Sequence, residues 1–134
     1  MDTKMTYPPA DIDGLRQYPC DPLILAIPST PKPLHGLTGR VDWHLGGLIA
    51  SQIRSQAFAH DQPVLRPPHP LLPCGRIIFW RLGAATPDDM AARIRDLGGA
   101  EPGLCPRDFA FTEEEVINAF REQVRVYVPP REMP

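Results

Sequence analysis

The chain has 134 residues, a net charge of −2 and an isoelectric point near 6.0. That length suits a single domain able to bury roughly two thirds of its unfolded surface without cross-links. The acidic balance and scattered arginines argue against a nucleic-acid partner, which a basic stripe would mark. No apolar run approaches the ~20 residues that span a bilayer. The opening MDTKMTYPPADIDGL lacks the apolar core of a signal peptide, so a cytoplasmic, reducing setting is expected.

Proline is the outlier: 18 of 134 residues, more than twice the usual ~5%. The prolines gather in loops and at the ends, where they stiffen connections. In residues 1–21, Pro8, Pro9, Gly14 and Pro19 interrupt any period, which predicts a flexible N-terminal arm. Leu23 to Ile27, LILAI, is apolar on both faces and predicts a strand in the middle of a sheet covered on both sides. After a stiff loop, Leu37, Val41, Leu45, Leu48, Ile49 and Ile53 recur at helical spacing. Gly46 and Gly47 cost that helix on the order of 1.5–2 kcal/mol. They imply either a break or the close approach of a neighbouring backbone.

Residues His60 to Cys74 are rich in proline and leave room only for short edge strands at Val64–Leu65 and Leu71–Leu72. Arg76 to Leu82, RIIFWRL, is the second clear strand. Thr86-Pro87-Asp88-Asp89 then opens a helix with an N-cap, a proline in the first turn and two acids at the positive end of the dipole. Its stripe is Met90, Ile94 and Leu97, and Gly98-Gly99 stops it. Pro102 to Asp108 reads as a loop. Thr112 with Glu115 forms a capping box ahead of an inward face of Val116, Ile117 and Phe120. Val124 to Val128, VRVYV, alternates as a strand near an edge does, and residues 129–134 form a tail. The whole is an α/β domain over residues 22–128.

Chemistry is sparse. A phosphate-cradling loop wants glycines between a strand and a helix N-terminus. The candidates are the loop from Ser29 through Gly36, Thr38 and Gly39, and the turn at Gly83 before Thr86. Neither has the spacing of a known phosphate loop. Asp42 and His44 flank Trp43 and project about 100° from their neighbour, so they do not share a helix face as a dyad would. Asp42 is expected to meet an arginine or a backbone donor. His35, His44, His60 and His69 lack metal-ligand spacing. Cys20, Cys74 and Cys105 are odd in number and contain no CxxC pair, so no metal, disulfide framework or cofactor is expected. Glu113, Glu114 and Glu115 read as acids serving a helix dipole.

The segment GLTGRVDWHLGGLIASQIRSQAF, followed by RIIFWRLG, resembles the N-terminal domain of the leucyl aminopeptidase family. Asp42, Leu45, Gly46, Gly47 and Leu48 match that family's helix, and Arg81-Leu82-Gly83 matches the end of its next strand. The resemblance implies a macro-domain-like fold, a mixed sheet sandwiched by helices, with the Gly-Gly pair as a packing device. In that family the metal ligands and catalytic lysine lie in a separate C-terminal domain. No lysine follows Lys32 here, so no peptidase and no other enzyme activity is expected. Macro domains bind ADP-ribose through an Asn-rich segment and a triple-glycine loop, and neither is present. The leading expectation is therefore a non-catalytic module acting through protein contacts, with a protein partner or a second copy of itself. The alternative is a small-ligand module for a nucleotide-like molecule. Its loops would lie at the carboxyl ends of strands, where α/β sheets bind ligands, and its candidate residues are Ser29, Gly36, Thr38, Gly39, Asp42, Gly83 and Thr86.

Overall fold

In a computed structural model, residues 7–28, 34–55, 62–83, 85–98 and 101–129 are described. Strand β1, Leu23–Ile27, is buried at every position and forms the middle of a five-stranded mixed sheet. The order is β2 (Val64–Arg66), β3 (Ile77–Arg81), β1, β4 (Gly103–Leu104), β5 (Arg125–Val126). Only β2 runs antiparallel, pairing Leu65 with Ile78. Strands β1 and β3 lie parallel in the register Leu23 to Ile77 through Ile27 to Arg81. The continuous apolar run LILAI takes the place where both faces are dry, and the alternating VRVYV contributes an edge.

Alternation divides the core in two. Leu23, Leu25, Ile27, Ile77 and Phe79 face one layer. There they meet Leu37 and Val41 of helix α2 (Gly36–His44) and Ile49 of helix α3 (Leu48–Arg54). Ile24, Ala26, Ile78 and Trp80 face the other layer. It is built from Met90, Ala91 and Ile94 of helix α4 (Pro87–Leu97) and from Val116 of helix α5 (Glu113–Ala119) with Phe120 beyond it. This is the expected mixed sheet between helices. The predicted capping box of Thr112 with Glu115 forms, and the predicted N-cap Thr86 makes a second one with Asp89.

Several local expectations are corrected. Within the expected arm, the described residues 7–21 include a helix. Helix α1, Ile12–Gln17, is capped by Asp11, whose carboxylate accepts from the Gly14 amide at 2.8 Å. Ala10 and Leu15 are fully buried, and the Ala10 amide donates to the Val128 carbonyl, which ties the start of the described chain to its end. The prolines that hid this helix flank it without entering it. Gly46 and Gly47 adopt φ of +72° and +88°, and nothing lies within 4 Å of where their Cβ atoms would be. The pair breaks the helix into α2 and α3 and packs against nothing, since only glycine adopts this left-handed turn cheaply. Leu71–Leu72 is a turn rather than a strand. The loop at 102–108 holds β4 and a 3-10 turn, Pro106–Phe109. Among the described residues, no helix is long and apolar enough to cross a membrane.

Candidate functional site

The chain leaves the three central parallel strands in different directions. After β1 it crosses to α2 on one face of the sheet. After β3 it crosses to α4, and after β4 to α5, both on the other face. On each side of β1 the connections therefore part at the carboxyl ends, the arrangement at which α/β sheets characteristically hold ligands. The strands stay paired to this end, for the Leu82 amide donates to the Ile27 carbonyl at 2.9 Å. Gly83 then turns at φ +82°, with nothing within 4 Å of where a Cβ would stand.

On the far side of β1 a side chain links two connections. Asp108, in the 3-10 turn, reaches the N-terminus of α2 and accepts from the Leu37 amide through Oδ2 at 2.9 Å. Gly36 sits at φ +62°, and a Cβ there would overlap this carboxylate, so glycine is required both for conformation and for space. Burial pushes the Asp108 carboxyl above its ordinary range, while the Leu37 amide and the Arg40 charge offset that only in part.

The residues singled out from sequence fall into separate settings. Gly36, Thr38 and Gly39 lie on the first turn of α2. Thr38 is almost wholly buried, and its hydroxyl donates to the Ala26 carbonyl at 2.8 Å, stitching α2 to β1. Gly39 lets the Leu34 carbonyl approach closely. Gly83 and Thr86 bracket the turn from β3 into α4, where the Thr86 hydroxyl accepts from the Asp89 amide at 3.2 Å. Ser29 and His60 lie outside the described residues. Asp42 lies on the last turn of α2, and its Oδ1 accepts from the amides of Ile49 at 2.7 Å and Ala50 at 3.2 Å. It thereby caps α3 from across the Gly46-Gly47 turn, meeting backbone donors, one of the two kinds of partner expected of it. His44 binds the Leu71 carbonyl through Nε2 at 3.0 Å, and His69 Nδ1 accepts from the Leu71 amide.

A cleft of about 560 Å³ runs along the outer side of α2 against α1. Asp11, Asp13, Arg40, His35 and His44 line it, and Trp43 stands at its rim with 88% of its surface exposed. A second, mostly apolar cavity of about 340 Å³ lies between the β2–β3 edge and the last turns of α4, beside Leu65, Trp80 and Leu97. Among the described residues no three His, Cys, Asp or Glu side chains converge as metal ligands would. The three cysteines are free. Burial pushes the Cys20 and Cys105 thiols up to about 12 and the Cys74 thiol up to about 11.

Neither a protein-family model nor a curated protein matches the chain. Solved structures do. The chain is similar to the macrodomain of Mycobacterium tuberculosis DarG, with a TM-score of 0.60 and 15% identity over 93% of this chain and 96% of that one. It is similar also to the macrodomain of Thermus aquaticus DarG, with a TM-score of 0.57 and 14% identity over 86% and 92%. At such identity the likeness is one of fold, and the fold is macrodomain-like along nearly its whole length. The broad expectation drawn from the aminopeptidase resemblance therefore stands, while the likeness found is to macrodomains themselves. The leading functional expectation does not survive this. A macrodomain-like architecture along nearly the whole chain replaces the reading as a module working through protein contacts.

Proposed function

We propose that this domain binds a small nucleotide-like ligand of the ADP-ribose class in the crevice between the β1–α2 and β3–α4 connections. The observation that carries the reading is the divergence of α2 and α4 to opposite faces of the sheet at the ends of two adjacent parallel strands. Such a switch point is where α/β sheets characteristically bind ligands. Gly83 supports it, since a residue without a side chain at the crevice floor lets a ligand approach the backbone. The macrodomain-like fold narrows the ligand class, because macro domains bind ADP-ribose. The Asn-rich segment and triple-glycine loop that macro domains use are absent from this sequence. The ligand would therefore be gripped mainly by backbone groups at the strand ends. The same crevice would serve binding alone or hydrolysis of an ADP-ribosyl conjugate.

Thermal unfolding and calorimetric titration with ADP-ribose, AMP and adenosine test the reading. A ligand present at 100 times its Kd stabilises the native state by about 2.7 kcal/mol. ADP-ribose should raise the midpoint and shift the backbone amide resonances of Leu82 and Gly83. No stabilisation at millimolar ligand would overturn the reading. Release of free ADP-ribose from a conjugate distinguishes hydrolysis from binding.

A further inference from the structure

Two of the three free cysteines stand opposite each other at the amino ends of the central strands. The Leu23 amide donates to the Arg76 carbonyl at 2.8 Å, and the Gly75 amide donates to the Cys20 carbonyl at 2.9 Å. Both bonds follow one parallel register, which sets Leu23 against Ile77 and Cys20 against Cys74. Positions opposed in this way on hydrogen-bonded neighbours lie about 5 Å apart, within the roughly 4.4–6.8 Å between Cα atoms that a disulfide spans. Beside them, Asp21 Oδ1 accepts from the Arg76 amide at 2.9 Å and from Arg76 Nε at 3.0 Å, which clamps the two segments together. Cys20 lies in the core layer on the α2 face of the sheet, and Cys74, half-buried, packs against the same layer. The β1–β4 register sets Cys105 against Leu25, roughly 16 Å along the sheet from Cys20.

We propose that Cys20 and Cys74 are a redox pair that closes into an intramolecular disulfide and staples the amino end of β1 to that of β3. The sequence has no CxxC spacing, and the sheet supplies the pairing instead. Cys74, the more exposed of the two, reacts first. Its thiolate attacks one sulfur of oxidised glutathione, forming a mixed disulfide and expelling one glutathione thiolate. Cys20 then gives up its proton, and its sulfur attacks the Cys74 sulfur and expels the second glutathione. The protein loses two protons and two electrons, and one oxidised glutathione becomes two reduced ones. In the dithiol form the Cys20 sulfur rests over Gly103, on the β4 side of β1, so the second step turns it about χ1 towards β3. Burial and the nearby Asp21 charge keep both thiols protonated at rest, so closure is slow and answers a sustained oxidising shift. The closed loop holds β1, α2, α3 and β2, and the bond removes freedom from the unfolded chain.

The experiment incubates native wild type, Cys20→Ser and Cys105→Ser with oxidised glutathione at about pH 8, near the thiol range, quenches with acid, and reads intact mass and peptide maps. Wild type should lose two of its three titratable thiols and about 2 Da, with a peptide that joins Cys20 to Cys74. Cys105→Ser should close the same bond at the same rate. Cys20→Ser lacks the second sulfur and should retain glutathione on Cys74. Oxidised wild type should unfold at a higher urea midpoint than the reduced form, and dithiothreitol should return mass and midpoint together. Wild type that keeps its mass and all its thiols would overturn the proposal. So would glutathione adducts without the Cys20–Cys74 link, a bond to Cys105, or a link that forms only in denaturant. Wild type alone carries the deciding readout, so misfolding of a variant leaves the outcome unchanged.

Discussion

The carboxylate of Asp42 accepts the backbone amide of Ile49 at 2.7 Å, across a turn made of two left-handed glycines. A residue on the last turn of α2 thus caps the first turn of α3, and the two short helices behave as one bent unit. Neither would be stable alone at nine and seven residues. Asp42→Ala should therefore cost about 1–2 kcal/mol, the scale of a lost N-cap. Asp42→Asn, which keeps an acceptor, should cost less. Urea unfolding of the two variants beside wild type measures both, and equal midpoints for Asp42→Ala and wild type would contradict the capping role.

Two glycines with nearly the same backbone angle should respond differently to alanine. Gly36 and Gly46 have φ of +62° and +72°. Alanine at either pays the left-handed penalty of roughly 1 kcal/mol. At Gly46 nothing stands near the new methyl group, so the loss should end there. At Gly36 the methyl group overlaps the Asp108 carboxylate and must expel it from the α2 terminus. Gly36→Ala should be the more damaging by a further ~1–3 kcal/mol, the cost of stranding buried polar groups. The difference between their denaturation midpoints tests the packing of Asp108 directly.

Much of this architecture is written in local sequence. LILAI announces a central strand because no polar residue interrupts it, and both capping boxes are visible as Thr followed three residues later by an acid. What local reading misses is what distance hides. Helix α1 is six residues long between prolines, with too few apolar positions to show a period, and it is held by Ala10 and Leu15 packing into a core assembled elsewhere. The two-residue strands β4 and β5 exist because β1 and β4 already form a template for them. Asp108 carries no signal at all. It lies in a loop after Cys105-Pro106-Arg107, and its role depends on a glycine 72 positions earlier. The meeting of His35, His44, Arg40 and Trp43 in one cleft is likewise set by α1 closing over α2.

Acid stability should report two carboxylates of opposite behaviour. Partial burial works against the charge of Asp21, but the Arg76 side chain and amide outweigh it and hold Asp21 below its ordinary value. Its contribution is present above the unfolded pKa of 3.8 and is lost as pH falls through the lower folded value. Asp108 is raised above 3.8, so the folded state binds its proton more tightly than the unfolded state does. Its ionisation costs stability as pH rises from 3.8 through the raised folded value. Asp108→Asn should therefore compare more favourably with wild type at pH 7 than at pH 3.5. Unfolding free energies measured across that range check the sign, and a difference that moves the other way would show that the carboxylate is stabilised by its donors.

Thiol chemistry offers the last test, because the three cysteines are held in different degrees of burial. Cys20 and Cys105 are buried, with thiols pushed up to about 12, and Cys74 is half-buried, with its thiol pushed up to about 11. Loss of water around the thiolate is the main cause for each, and the Asp21 charge adds to it at Cys74. At pH 8 the folded protein should react with an aromatic disulfide reagent far more slowly than a free thiol, and Cys74 should react first. Unfolding in denaturant should release all three at once, since each thiol then returns to its ordinary range. On the function proposed above, addition of ADP-ribose should slow Cys105 in particular, as Cys105 follows β4 directly at the carboxyl ends of the strands. Equal protection of Cys20 and Cys105 would show that ligand acts on global unfolding, whereas selective protection of Cys105 would place its effect at the carboxyl ends of the strands.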